Sequence, residues 1–173
     1  MKKLFLVLAF AFAGIFTANA QVWIGGGLGA DINKAYTQVS VSPEVGYMFP
    51  NSPFTLAVGV GYTYNNPKEG TATNTLALQP YFRYVPVTIA NKFSLFLDLT
   101  GDFGLLDSPK GAYAVMLQPG IAWMATDRWT AAFRFGKIGY NHNFYKNADG
   151  DPTEGFLLGC DLAAPSIRIY YNF

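Results

Sequence analysis

From residue 21 onward, large apolar side chains alternate with small or polar ones, segment after segment, which is the signature of strands whose two faces meet different surroundings. In Phe54 to Tyr64 one face carries Phe54, Leu56, Val58, Val60, Tyr62 and Tyr64, and the other carries Thr55, Ala57, Gly59, Gly61 and Thr63. Tyr113 to Met124 divides the same way, with Tyr113, Val115, Leu117, Pro119, Ile121 and Trp123 opposite Ala114, Met116, Gln118, Gly120, Ala122 and Met124. In Phe93 to Phe103 the polar side holds Asp98, Thr100 and Asp102. After residue 20 no apolar run approaches the roughly 18 residues that a spanning helix needs, so a helical membrane protein is excluded.

Eight such segments are expected, at about 22–30, 37–49, 54–64, 74–85, 93–105, 112–124, 129–140 and 156–173. Seven of them have the length of a tilted strand that crosses a bilayer, and the last is expected to begin outside it. The links alternate in length. Residues 31–36, 65–73, 106–111 and 141–155 are longer or more polar, whereas Pro50-Asn51-Ser52-Pro53 and Ala125-Thr126-Asp127-Arg128 are tight. Residues 86–92 break the alternation, as a nominally short turn of unusual length.

Only 13% of the 173 residues are charged, against 51% hydrophobic and 17% aromatic. That balance argues against disorder and against a nucleic-acid partner. The length suits one domain. Residues 1–20 read as a cleaved signal peptide: Lys2-Lys3, an uncharged, largely apolar run from Leu4 to Phe16, and the small-x-small box Ala18-Asn19-Ala20. The domain is then 21–173, and loss of Lys2 and Lys3 leaves 10 basic against 11 acidic residues. Position 21 is Gln, so no lipoprotein cysteine follows the cleavage point, and the single Cys160 allows neither an intramolecular disulfide nor a thiolate cluster.

An internal repeat marks the even-numbered segments: Pro43-Glu-Val-Gly-Tyr47, Pro80-Tyr-Phe-Arg-Tyr84, Pro119-Gly-Ile-Ala-Trp123, and a weaker Pro165-Ser-Ile-Arg-Ile-Tyr-Tyr171. One hairpin is the repeating unit. Proline cannot donate to a ladder, so a bulge or a missing hydrogen bond is expected near each.

With the stretch Val39 to Tyr47 and the ending Ile167-Arg-Ile-Tyr-Tyr-Asn-Phe173, the whole mature chain resembles the small eight-stranded outer-membrane barrels. These include OmpA/OmpX-like transmembrane barrels and the porin-like outer membrane proteins of the Bacteroidetes. The resemblance implies an all-β, eight-stranded antiparallel up-and-down transmembrane barrel in a Gram-negative cell envelope. It also implies that Ile169, Tyr171 and Phe173 form the C-terminal signal read by the barrel-assembly machinery. The family is functionally diverse, so fold and place follow from it and activity does not.

Period two places six charges inside: Glu44, Asp98 and Asp102 against Arg83, Arg134 and Arg168. They read either as an ion-paired network that plugs the narrow lumen of an eight-stranded barrel or as a selectivity ring lining a pore. Trp23 and Tyr140 also fall on the inward parity, which aromatic anchoring does not account for. Tyr47, Phe49, Tyr84, Trp123, Trp129, Tyr171 and Phe173 are expected at one membrane interface, and Tyr62, Tyr64, Phe103 and Tyr113 at the other.

Three motifs carry little. Gly25-Gly-Gly-Leu-Gly-Ala30 matches a dinucleotide fingerprint but lacks its strand and helix context, so it reads as strand positions with small inward groups. Asn147-Ala-Asp-Gly-Asp151 would need Tyr145 and Phe156 as calcium ligands, so it reads as an exposed turn. His142 is the single histidine and the one place to look for catalysis, yet Ser108, the nearest serine in an outer loop, belongs to another hairpin.

The expectation is a non-enzymatic outer-membrane barrel without cofactor or metal, with a structural or surface-interaction role through loops 31–36, 65–73 and 141–155. Its partners would be outer-membrane lipid, the assembly machinery and an extracellular ligand or host surface, with no nucleic acid. A narrow porin-like channel for ions or small solutes is the alternative, and an enzyme acting on lipid or peptide at the outer rim comes third.

Overall fold

Alternation over ten or so residues with no helix-forming interruption leaves the backbone one way to satisfy its polar groups, by pairing each segment with its neighbours. The computed structural model describes residues 21–32, 36–68, 72–106, 111–146, 151–160 and 166–173, and it shows this pairing throughout. The strands are β1 (Val22–Ile32), β2 (Tyr36–Met48), β3 (Phe54–Pro67), β4 (Thr73–Ile89), β5 (Phe93–Leu106), β6 (Tyr113–Met124), β7 (Trp129–Arg134), β8 (Gly136–Lys146), β9 (Pro152–Cys160) and β10 (Ser166–Asn172). All pairings are antiparallel. β7 and β8 are two halves of one stave, since both pair with β6; β9 and β10 form the next, pairing with β8 and β7. β10 then pairs with β1 from Trp23↔Asn172 to Gly27↔Arg168, and the sheet closes as an eight-staved up-and-down barrel.

Closure runs through β10. Among the described residues β9 pairs with β8 alone, and its outward Phe156 and Leu158 are 91% and 84% exposed, about twice the value for an outward side chain such as Leu97 at 38%.

The repeat prolines interrupt the ladder as their missing N–H requires. The β2–β3 register skips Ser42 and Pro43, and the β4–β5 register skips Gln79 and Pro80. Opposite Pro119 the partner strand bulges: Gly120 pairs with Arg134, but Leu117 pairs with Ile138, so one extra residue, Phe135, is accommodated. Pro165 lies outside the described residues.

The bulge at Phe135 corrects the parity of Tyr140. Counting by twos from inward Arg134 puts Tyr140 inside, yet the extra residue reverses the faces. Ile138 is exposed, Asn141 is buried, and the Tyr140 ring packs on outward Phe156 at 5.8 Å.

Residues 86–92 are also shorter as a turn than their sequence reads. β4 continues to Ile89, with a register shift between Tyr84 and Val87 that absorbs Pro86. The reversal is then made by Ala90 and Asn91 alone, both left-handed at φ 50° and 55°, with the Lys92 amide donating to the Ile89 carbonyl at 3.1 Å. This is the geometry of a two-residue type I′ hairpin. All three links at this end are therefore short.

The outer wall is apolar. Leu56, Val58 and Val60 on β3 and Leu95, Leu97 and Leu99 on β5 stand exposed between aromatic belts. From Phe54 to Tyr62 the strand rises about 26 Å, and with a tilt near 45° this covers most of the roughly 25 Å apolar band of a membrane barrel. At the short-turn end the belt is cross-linked by ring contacts: Tyr47–Phe49 at 5.5 Å, Phe54–Tyr84 at 5.3 Å, Trp129–Tyr171 at 5.1 Å and Tyr171–Phe173 at 5.2 Å. The Phe173 amide donates to Val22 O at 3.1 Å, which ties the C-terminus to β1.

Ala90 is a side chain held where glycine or asparagine is preferred, at a cost of roughly 1–2 kcal/mol. Ala90→Gly is expected to raise unfolding stability by about 1 kcal/mol in urea titrations of the barrel in phospholipid vesicles. An Ala90→Val substitution is expected to lower it.

Candidate functional site

The interior is built by complementary sizes. β1 and β3 present Gly25, Gly27, Gly59 and Gly61 inward, and opposing strands send in large side chains. Near the short-turn end Trp23, Tyr81, Phe96 and Tyr170 form a buried cluster with Ala57, Ala122 and Ala132. Trp23 packs on Tyr170 at 4.4 Å and on Tyr81 at 6.4 Å. It fits because position 46 is glycine: a Cβ there would lie 2.2 Å from the Trp23 ring. The inward parity of Trp23, unexplained by anchoring, is thus a packing role.

Above this cluster sits Asp98, whose side chain is fully buried. Arg83 and Asp98 are cross-strand neighbours on β4 and β5, and their pairing is bidentate: Nε donates to Oδ1 at 2.7 Å and Nη2 to Oδ2 at 2.9 Å. Arg134, two staves away, donates from Nε to Oδ2 at 2.8 Å. The Arg83 guanidinium lies 3.9 Å from the centroid of Phe96, with Tyr81 and Tyr170 each at 5.4 Å, and Arg134 lies 4.7 Å over Tyr81. The aromatic faces therefore carry part of the charge that two arginines leave over from one carboxylate. Arg83 Nη2 also donates to the Tyr170 hydroxyl at 3.3 Å.

A second pair crosses β1. Gly25 is in register with Glu44 on β2, and Gly27 with Arg168 on β10. With no side chain between them, Arg168 Nη1 donates to Glu44 Oε1 at 3.0 Å. The glycine run that imitates a dinucleotide fingerprint is a strand that lets its two neighbours meet.

All six inward charges are where period two places them, but they do not pair three against three. Asp98 takes two arginines, Glu44 takes one, and Asp102 takes none among the described residues. Asp102 accepts instead from Gln79 Nε2 at 2.9 Å and from the Tyr145 hydroxyl at 3.4 Å. Tyr145 reaches inward because Asn141 shapes the hairpin above it: its Oδ1 accepts the Phe144 and Tyr145 amides at 3.1 and 3.0 Å, and Asn143 turns left-handed at φ 57°. Around Asp102, toward the long-loop end, is a cavity of about 180 Å³ whose walls include Gln79, Gln118, Arg134, Tyr145 and Arg168.

Sequence reasoning located the charges and missed Tyr81, Phe96, Tyr170, Gln79 and Tyr145. The signal was present for four of them, since Gln79, Tyr81, Phe96 and Tyr170 share the inward parity of Arg83, Asp98 and Arg168 on their own strands. Tyr145 lies past the Phe135 bulge, where parity counted from Arg134 fails.

At the long-loop rim His142 Nδ1 lies 3.2 Å from Glu154 Oε1, and the Tyr140 hydroxyl donates to the same oxygen. The Tyr113 ring packs against His142 at 5.3 Å. The hydroxyl first and His142 second hold the Glu154 carboxyl below its usual range. Ser108 and residues 147–150 lie outside the described residues. Among the described residues no three His, Cys, Asp or Glu side chains gather as a metal site.

No family model matches the chain, and no curated protein does. Solved structures do. The solution structure of outer membrane protein W of E. coli superposes with a TM-score of 0.50 at 8% identity, covering 91% of this chain and all of that one. A de novo designed transmembrane β-barrel covers 91% of this chain and 98% of its own at 12% identity, with a TM-score of 0.43. The fold is the closed antiparallel barrel of outer-membrane proteins.

Gly46→Ala is expected to cost about 1–3 kcal/mol of stability, because the Trp23 ring must move. In the Trp23→Ala background the same substitution is expected to cost under about 0.5 kcal/mol, because the ring it would strike is gone and the two sites are coupled. Urea unfolding of the four proteins in vesicles measures the difference.

Proposed function

We propose that this chain is an outer-membrane barrel closed to through-flow, with a structural or surface-interaction role. In this reading residues 1–20 are removed on export, the short turns face the periplasm and the long hairpins face outward. The observation that carries it is the Asp98 centre. Its carboxylate, two guanidinium groups and the Trp23–Tyr81–Phe96–Tyr170 cluster occupy the lumen of a barrel just wide enough for side chains. Opening a path for ions would require separating a buried pair, at a cost of about 3–5 kcal/mol.

The wall supports the assignment to lipid, because its belts of rings bound an apolar band of membrane height. Ile169, Tyr171 and Phe173 face outward along the closing strand, available to the assembly machinery before β10 pairs with β1. With the lumen filled at the aromatic cluster and the Asp98 centre, the outer hairpins present a surface for a ligand or a host. We assign no catalysis and no cofactor. His142 has an acid beside it in Glu154, but the hydroxyl at that carboxylate is the Tyr140 phenol, which holds the acid rather than facing the imidazole as a nucleophile.

The cavity beside Asp102 favours a narrow channel, and current decides between the readings. The refolded mature chain in a planar bilayer is expected to give no discrete steps. Trp23→Ala, Tyr81→Ala and Tyr170→Ala combined are expected to open them. Reproducible steps from the unmodified barrel, with an ion preference that changes in Asp98→Asn, would replace this reading with the channel.

A further inference from the structure

The cavity above the Asp98 centre is lined by both signs of charge, and this selects what can sit in it. On one side is Asp102, buried and, among the described residues, hydrogen-bonded by the neutral donors Gln79 and Tyr145 alone. On the other are Arg134 and Arg168, and Arg168 Nε is buried with no hydrogen-bond partner among the described residues. Gln118, Arg134 and Ser166 continue the wall into a second cavity of about 480 Å³, where Lys137 adds a further cation 4.9 Å over the Tyr145 ring.

Arg134 and Arg168 face Asp102 across the cavity without bonding to it, and a buried carboxylate with no cation in hydrogen-bond contact is left as poorly satisfied as a guanidinium edge with no acceptor. About six waters would fill this 180 Å³, yet a water carries no charge to set against either wall directly. A simple anion would be drawn to the arginines and repelled by Asp102. A simple cation would meet the reverse. A molecule with an ammonium at one end and a carboxylate at the other satisfies both walls at once.

We propose that the outer half of the lumen binds a small zwitterion of the amino-acid class, with its ammonium on Asp102 and its carboxylate on the Arg134 and Arg168 side. A free α-amino acid the size of glycine or alanine fits the volume beside Asp102. The site lies above the aromatic cluster, and it does not depend on whether the barrel conducts.

The test uses the full mature barrel, folded in detergent, with alanine as the probe and calorimetric titration as the readout. Acetate and methylammonium are titrated separately at the same ionic strength. The expected result is saturable alanine binding, with acetate and methylammonium each weaker by about tenfold or more. Asp102→Asn, which keeps the shape and removes the charge, is expected to lose about tenfold or more in alanine affinity. Gln118→Phe, which fills the cavity and leaves every charge in place, is expected to abolish binding, and it serves as the test should Asp102→Asn not fold. Heat-modified migration on gels shows whether each variant is folded. No saturable binding of alanine to the folded barrel would overturn the proposal and leave a water-filled cavity. Equal binding of acetate would also overturn it, in favour of an anion site, and so would unchanged affinity in either folded variant.

Discussion

Asp98 is a carboxylate with no exposure to solvent in the middle of a membrane-type barrel, and the arrangement around it follows from the need to give a buried carboxylate hydrogen-bonded cationic partners. Two arginines from different staves converge on it, and three aromatic faces lie near the Arg83 guanidinium. Removing any one of these groups leaves another unsatisfied where water cannot replace it. The pairing also connects β4, β5 and β7, strands that do not all touch through the backbone. A closed sheet has no layer packed against it, so the lumen contacts stand in for the core that a soluble sandwich places between its sheets.

Those contacts need room on the opposite wall, and glycine provides it. Position 46 accepts the Trp23 ring, and β1 has no side chain where Arg168 and Glu44 approach each other. The alternation of large outward and small inward residues therefore serves two purposes. It gives lipid an apolar surface, and it leaves space for the few large side chains that cross the lumen.

The fold was legible because period two and strand length survive in every segment. The inward charges were legible for the same reason, since parity alone places Glu44, Arg83, Asp98, Asp102, Arg134 and Arg168 on one face. Their partners were not, because parity gives a face and says nothing of the distance between staves. Asp102 could not be told from Asp98 in the sequence, although one meets two arginines and the other meets an amide and a phenol. Local irregularity hid the rest. Phe135 inserts one residue and reverses Tyr140, and Ala90 with Asn91 makes a two-residue reversal where Pro86 and the length of the link point to a loop.

If the Asp98 centre is what holds the lumen shut and the staves together, Arg83 and Asp98 must be energetically coupled. A double-mutant cycle of Arg83→Gln, Asp98→Asn and both, read by urea unfolding in phospholipid vesicles, measures that coupling. The double variant is expected to be more stable than the sum of the single losses by about 1–3 kcal/mol, because Asp98→Asn strands the Arg83 guanidinium that Arg83→Gln removes, and the direct bidentate pair is lost only once. Additive losses would contradict it and would mean that the barrel wall alone carries the stability.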